Sequence, residues 1–255
     1  LKNQSGKSFE NVTEKMGLSK SHGLWNSLVV LDLDGDGKNE LVAGNLGLNH
    51  LFEVSSSEPI TAYQSDFDQN GQKETIITHY LNGERWPLPR KETITGVLPH
   101  LKKKFINNQT YAEARLEDIF SSDQLAQATT YNLYELRSGY FTLREDSMIF
   151  SAFPTIAQSF PIFDMVFLDL NGDQVKDLLL GGNMSYSEVE QGPYDAGGGL
   201  ILWGTERALT FDANNFQFLN WTGDIRKMSI QHVNETRMLW VVQNNGPLKS
   251  YNLVK

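Results

Sequence analysis

Short apolar runs separated by turn-forming residues make up most of this chain and predict β-strands. Apolar residues at 28–31 are followed, after an acidic turn, by a second apolar run at 41–44. The segments 165–168 and 178–181 repeat this arrangement, and 75–78 follows another acidic turn. Short runs bounded by turn residues are typical of buried strands. The pattern therefore predicts an all-β fold in which acidic hairpin loops join neighbouring strands.

Three of these connections share one spacing of oxygen-bearing side chains. Acids or amides stand at positions 1, 3 and 5 of a nine-residue loop, and an acid closes it at position 9. With position 7 included, the first loop offers Asp32, Asp34, Asp36, Lys38 and Glu40. The second offers Asp66, Asp68, Asn70, Gln72 and Glu74, and the third offers Asp169, Asn171, Asp173, Val175 and Asp177.

This spacing predicts a cation at the centre of each loop. Alternate positions on a tight loop point toward one centre, and a glycine at position 6 (Gly37, Gly71) lets the backbone turn sharply. Ca²⁺ takes about 6–8 oxygen ligands at about 2.3–2.6 Å, and position 7 would supply its backbone carbonyl. We therefore expect about three calcium ions. A plain solvated turn is the alternative for each loop, most of all for the third, where Gln174 replaces glycine.

The EF-hand is the obvious rival motif, and its most demanding ligand is missing. An EF-hand loop needs a bidentate glutamate at position 12 and flanking helices. Position 12 is apolar in all three loops, being Ala43, Ile77 and Leu180. The apolar runs that follow predict strands, so each loop is predicted to be a hairpin connection.

The spacing of the loops along the chain predicts repeats and one insertion. The loops begin at residues 32, 66 and 169, and the longer second interval indicates inserted residues. Helical spacing places this insertion at about 99–128, with a capping box from Thr110 to Glu113 and a second cap at Ser121 or Ser122. Residues 225–255 predict three strands whose first turn, at 233–236, lacks the aspartates. About four units result.

Composition and charge narrow the class of protein. Ten of the 31 acids lie in the three loops, so the remaining 21 nearly balance the 22 lysines and arginines. Proteins that bind nucleic acid usually carry an excess of basic residues, whereas this chain has a net charge of −9, so we do not expect nucleic acid as a partner. No apolar run approaches the roughly 20 residues that cross a bilayer. There is no cysteine, and because residue 1 is leucine we expect a processed or truncated piece of a longer protein.

The loops and the segments around them resemble a known repeat family. They are similar to the FG-GAP/VCBS repeats of integrin-like β-propellers and, over longer stretches, to bacterial propeller proteins of the ASPIC/UnbV type found in Bacteroidetes-like organisms. The resemblance implies four-stranded blades around an axis, calcium loops in the hairpins, and one propeller-like domain over 1–255 that forms a C-terminal part of a larger propeller. The segments that carry it are FENVTEKMGL, LWNSLVVLDLDGDGKNELVAGNLGLN, LKKKF with YAEARLEDIF, FPTIAQSFPIFDMVFLDLNGD and TGDIRKM.

No catalytic constellation stands out, so we expect a binding module and not an enzyme. The five histidines lack metal-ligand spacing, and no nucleophile elbow or phosphate-binding loop occurs. We expect an extracytoplasmic module (secreted, periplasmic or on the outer-membrane surface) that binds a protein or glycan. Tyr186 and Tyr194 are the candidate exposed contacts, and Trp203 is a candidate core residue.

Two alternative functions stay open. One is a propeller-type polysaccharide lyase or hydrolase in which Ca²⁺ polarises a uronate carboxylate and Arg90, Lys91 or Arg115 acts as base or charge stabiliser. The other is a structural part of a larger multidomain surface protein, associating with the rest of a longer chain.

Overall fold

The computed structural model describes residues 2–187, 192–205 and 211–253. The chain divides into two compact units. The first unit comprises Leu1–Ser19, Leu24–Leu51 and Leu136–Lys255, and the second comprises Lys20–Gly23 and Phe52–Glu135. No helix within the described ranges is long and apolar enough to span a bilayer.

Strands form most of the regular structure. In chain order they are β1 (Lys2–Asn3), β2 (Phe9–Glu10), β3 (Ser27–Leu31), β4 (Glu40–Gly44), β5 (Ile60–Ser65), β6 (Glu74–Leu81), β7 (Glu84–Pro87), β8 (Thr129–Leu133), β9 (Gly139–Arg144), β10 (Ser147–Ala152), β11 (Ile162–Leu168), β12 (Asp177–Gly182), β13 (Leu200–Leu202), β14 (Phe216–Phe218), β15 (Asp224–Val233), β16 (Thr236–Asn244) and β17 (Lys249–Leu253). The predicted all-β class is confirmed at this level, and the arrangement of the sheets as propeller blades around an axis stays a prediction.

The first unit contains three larger antiparallel sheets and the small β1–β2 pair. The first sheet has the order β10-β9-β4-β3, the second β11-β12-β13-β14, and the third β15-β16-β17. The third sheet confirms the three strands predicted for 225–255, with β15 and β16 joined at Asn234 and Glu235. Residues 254 and 255 of that prediction lie outside the described residues.

The apolar run of β12 is explained by burial on both faces. Leu178 and Leu180 belong to a core cluster shared with Val42 and Ile162, between the first and second sheets. Leu179, which points the other way, packs with Ile225 in a cluster between the second and third sheets. Because successive side chains of a strand point to opposite faces, a strand covered on both sides has to be apolar throughout.

The second unit lies in the sequence between two paired strands of the first sheet. Val42 of β4 is opposite Tyr140 of β9, and nearly the whole of the second unit (52–135) is inserted between these strands. It contains an antiparallel sheet of order β7-β6-β5-β8. One hydrophobic cluster joins this sheet, through Tyr63 and Ile76, to helical residues such as Leu116.

The helices of the second unit begin earlier than the predicted insertion. They are α1 (Lys91–Val97), α2 (Leu101–Lys104), α3 (Asn108–Ala112), α4 (Leu116–Ile119) and α5 (Ser122–Gln127). The predicted cap at Thr110 is wrong, because Asn107 caps α3 by accepting a hydrogen bond from the Thr110 N–H at 2.9 Å. The predicted cap at Ser121 is confirmed by a capping box with Gln124.

Candidate metal centres

Each acidic loop joins the two strands of its sheet that come first along the chain. We call Asp32–Glu40, between β3 and β4, loop 1. Loop 2, Asp66–Glu74, lies between β5 and β6, and loop 3, Asp169–Asp177, lies between β11 and β12. Loops 1 and 3 belong to the first unit and loop 2 to the second. In all three the closing acid is also the first residue of the following strand, so the sheet fixes its position.

The aspartate at position 1 organises the backbone of its loop. Asp32 accepts hydrogen bonds from the N–H groups of Gly35 at 2.7 Å and Gly37 at 3.0 Å, one on each carboxylate oxygen. Asp169 does the same for positions 4 and 6 of loop 3. In loop 2 the donors to Asp66 are positions 5 and 6. The turn is therefore tied to its first residue in every loop.

Positions 3 and 5 are held by short side-chain turns. In each loop the oxygen at position 3 accepts the N–H of position 5, and the oxygen at position 5 accepts the N–H of position 7. In loop 1 the carboxylate of Asp36 also lies 3.6 Å from Nζ of Lys38. These bonds are of the kind by which Asp and Asn replace backbone hydrogen bonds in turns.

The backbone at position 6 is left-handed in all three loops. Its φ angle is +85° at Gly37, +88° at Gly71 and +73° at Gln174. Glutamine is strained there, because a Cβ crowds the following carbonyl in this region. Loop 3 thus keeps the turn of the other loops although it has lost the glycine.

The closing acid is buried and hydrogen-bonded back to its own loop. Glu40 is 2% exposed, and its Oε2 accepts the N–H of Leu33 at 2.9 Å. Glu74 is bonded in the same way to the N–H of Phe67 at 2.9 Å, and Asp177 to that of Leu170 at 2.8 Å. The sequence pattern indicated a ligand at position 9 but not this second role.

Burial disfavours the ionised form of two closing acids, Glu40 and Asp177. The pKa of Glu40 is raised mainly by burial and also by Asp34, Asp36 and Asp32, while the hydrogen bond from Leu33 lowers it. The pKa of Asp177 is likewise raised, first by burial and then by the neighbouring loop aspartates. A cation among these carboxylates would offset both effects.

Loops 1 and 2 fit a calcium ion by the size and chemistry of their donor sets. Carboxylate oxygens of Asp32, Asp34 and Glu40 lie within 4.8 Å of one another, as do those of the corresponding residues of loop 2, Asp66, Asp68 and Glu74. Two ligands on opposite sides of Ca²⁺ are separated by about 5 Å, twice a bond of about 2.3–2.6 Å. Binding itself stays a prediction, as do the side-chain ligands at position 5 and the carbonyls of Lys38, Gln72 and Val175.

The candidate aromatic contacts differ in exposure. Tyr186 is 73% exposed, as predicted, whereas the prediction for Tyr194 is wrong because it is only 5% exposed. Trp203 packs against the cluster between the second and third sheets, which confirms it as a core residue. Among the bases considered for catalysis, Arg115 forms an ion pair with Glu84 at 2.9 Å.

A polar cluster in the second unit was not foreseen from the sequence. Arg85 donates to the hydroxyl oxygens of Tyr63 at 2.6 Å and Tyr80 at 2.8 Å, and it lies 3.7 Å from the carboxylate of Glu117. Tyr80 and Arg85 are cross-strand partners in the β6–β7 hairpin. Their pairing follows from the strand register, which local periodicity alone does not specify.

Two of the cavities at the surface are lined by described residues. One, of about 530 Å³, adjoins loop 2 and is lined by Phe67, Asp68, Gln69, Pro99 and His100. The other, of about 390 Å³, lies in the first unit and is lined by Tyr140, Ala152, Phe153, Pro154, Thr155, Phe211 and Ala213. The first cavity therefore includes one candidate calcium ligand in its wall.

Comparison with known proteins identifies one repeat. Residues 24–50 match the FG-GAP repeat, and this segment includes β3, loop 1 and β4. No curated protein and no solved structure matches the chain. The chain thus contains an FG-GAP repeat, a type that suggests a β-propeller-like module and is often extracellular.

Proposed function

We propose that this chain is a calcium-stabilised, β-propeller-like module that acts outside the cytoplasm, binds a protein or glycan, and is not an enzyme. The observation that carries the proposal is the convergence of three carboxylates at loop 1, inside the FG-GAP repeat. The finer resemblance to ASPIC/UnbV-type proteins and a bacterial source remain predictions.

The loop side chains would hold the ion, and the ion would neutralise their mutual repulsion. In loop 1 the carboxylates of Asp32, Asp34 and Glu40 are the donors, and the hydrogen bonds to the loop N–H groups hold them in place. Because the closing acid begins β4, a bound ion links the loop to the sheet. Metal binding and folding are therefore expected to be coupled.

An extracytoplasmic location suits a structural calcium site. Calcium modules that act outside cells bind with dissociation constants of about 10⁻⁴–10⁻³ M, which the abundant external ion saturates. FG-GAP repeats are commonly extracellular. These points support the proposal that the protein is secreted, periplasmic or on the outer-membrane surface.

The cavity beside loop 2 is the best candidate for the ligand contact. Its wall contains Asp68 of the metal cluster together with His100 and Gln69, so polar groups converge on one concave surface. Such surfaces on loops carried by a rigid scaffold are where recognition usually occurs. The exposed ring of Tyr186 is a separate candidate for stacking on a sugar or a protein surface.

Thermal melting with and without calcium tests the proposal. At a free concentration of one hundred times the dissociation constant, each ion adds about 2.7 kcal/mol to the free energy of unfolding. We expect the melting temperature to rise by several degrees in calcium and to fall again in EGTA, while an equal concentration of magnesium has a much smaller effect. Identical melting curves in calcium and in chelator would overturn the calcium role.

A structural role within a larger assembly is the second candidate, and an exposed apolar strand face favours it. Leu28 and Val30 of β3 are 63% and 58% exposed, although Val29 and Leu31 of the same strand pack against a core cluster. A face of this kind usually packs against more protein. Acidic-polysaccharide turnover assays address the enzymatic alternative, in which turnover would depend on one of the bases Arg90, Lys91 and Arg115.

A further inference from the structure

Loop 3 differs from loops 1 and 2 in how its closing acid is satisfied. Oδ2 of Asp177 accepts the N–H of Leu170 at 2.8 Å, and Oδ1 accepts the N–H of Gly204 at 2.9 Å. Asp177 is fully buried, so both of its oxygens are already bound by backbone donors. Gly204 follows β13, the neighbour of β12 in the second sheet.

The closing glutamates of the other loops keep one oxygen available. Within the described part of the chain, Glu40 accepts a hydrogen bond only at Oε2, from Leu33. Glu74 likewise accepts only at Oε2, from Phe67. Glu40 and Glu74 each contribute a carboxylate oxygen to the cluster that could hold an ion.

Position 3 of loop 3 is also different. It is Asn171, whose amide Nδ2 donates to Oδ2 of Asp173 at 2.9 Å and so ties positions 3 and 5 to each other. Loop 3 therefore has an amide where loops 1 and 2 have the position 3 carboxylate. Among the described residues, carboxylates converge as a cluster of three in loops 1 and 2 but not in loop 3. A protein cation is present as well, because Nη2 of Arg237, from β16, donates to the carbonyl of Asp169 at 3.3 Å.

We propose that loop 3 is a cation-independent hairpin, in which the Gly204 N–H, the Asn171 amide and the Arg237 guanidinium do what a calcium ion does in loops 1 and 2. This inference rests on the proposed calcium role of those two loops and revises the expected number of ions from three to two. Since Arg237 belongs to the third sheet, its contact also joins that sheet to the second without metal.

Calcium stoichiometry decides the matter. The protein is equilibrated with about 5 mM free calcium, which exceeds the usual dissociation constants of extracellular calcium modules. The bound calcium is then measured by equilibrium dialysis and elemental analysis. We expect two ions per chain in the parent, one in Asp32→Asn, one in Asp66→Asn, and two in Asp169→Asn. Three ions in the parent, or a loss in Asp169→Asn, would overturn the inference alone, whereas no bound calcium would refute the proposed function itself.

A second pair of variants gives an independent reading. The double variant Asn171→Asp with Asp177→Glu gives loop 3 the acidic residues of loop 1 and should raise the number of bound calcium ions from two to three.

Arg237→Gln should lower the melting temperature by the same amount in calcium and in EGTA, with exposed Arg144→Gln as the matched control. If the melting temperature of Arg237→Gln were below that of the parent in EGTA but equal to it in calcium, loop 3 would bind an ion after all.

Discussion

Glu40 accepts a hydrogen bond from the backbone N–H of Leu33, seven residues earlier, at 2.9 Å. The contact closes loop 1 from within and brings a buried carboxylate beside Asp34 and Asp32. The same side chain thus stabilises the hairpin through one oxygen and, in the proposed calcium site, also contributes to binding the cation. These two roles can be separated by replacing glutamate with its neutral amide.

Glu40→Gln should have opposite effects in chelator and in calcium. Glutamine keeps an acceptor for the Leu33 N–H but carries no charge. It therefore avoids the cost of burying a negative charge and the repulsion from the loop aspartates, the two effects that raise the pKa of Glu40. In EGTA we expect the melting temperature to rise by a few degrees. In calcium we expect it to fall below that of the parent, because one ion worth about 2–3 kcal/mol is lost.

The check is a pair of melting curves for each variant, with exposed Glu14→Gln as the control that should match the parent in both buffers. A Glu40→Gln protein whose calcium-induced shift equals that of the parent would contradict a metal role for loop 1.

The sequence predicted the parts of this fold that depend on local pattern. Burial on both faces explains why the continuous apolar run at Leu178–Leu180 was recognisable as a strand, and the aspartate spacing placed each hairpin correctly. The pairing of Val42 with Tyr140 joins residues nearly one hundred positions apart, and no local signal encodes it. The pattern likewise did not show that loop 2 lies inside the inserted unit.

The candidate sites were predictable to a similar depth. Residue type and spacing identified the carboxylates that converge in loops 1 and 2, because a metal site needs several oxygens at one centre. The second hydrogen bond of Asp177 comes from Gly204, in a distant segment, so the difference between loop 3 and the others is a property of the folded chain. The Arg85 cluster depends in the same way on strand register.

Gln174→Gly should stabilise the protein, and Gly37→Gln should destabilise it. Both residues occupy position 6, with φ angles of +73° and +85°. A left-handed residue with a Cβ costs about 1–2 kcal/mol, from which the larger backbone entropy lost by glycine is subtracted. We expect shifts of about 1 kcal/mol of opposite sign in urea unfolding, measured in EGTA so that calcium binding does not contribute. Shifts of the same sign would contradict an equivalent turn in the two loops.

Gly44→Ala should be strongly destabilising because two sheets meet at this residue. A Cβ at Gly44, the last residue of β4, would collide with the backbone carbonyl oxygen of Ile162 in β11 and with Oγ of Ser27. Overpacking of this kind costs about 1–3 kcal/mol. Gly96→Ala in α1 is the control, since its Cβ would meet no atom within 4 Å, and alanine is favoured over glycine in helices by up to about 1 kcal/mol. Urea unfolding of both variants should therefore give changes of opposite sign.

The stability of the second unit should fall with acid in a way that depends on His79. Burial lowers the pKa of this side chain, which lies in β6 opposite Trp86. The unfolded chain therefore takes up a proton at this histidine near the ordinary pKa of 6.5, and the folded chain takes it up only at lower pH. Stability from this group is complete above that pH and is lost as the pH falls toward the lowered value. Urea unfolding between pH 7.5 and about 5 should be less pH-dependent in His79→Gln than in the parent. Exposed His232→Gln should behave like the parent, and an unchanged pH slope in His79→Gln would exclude this histidine as the source.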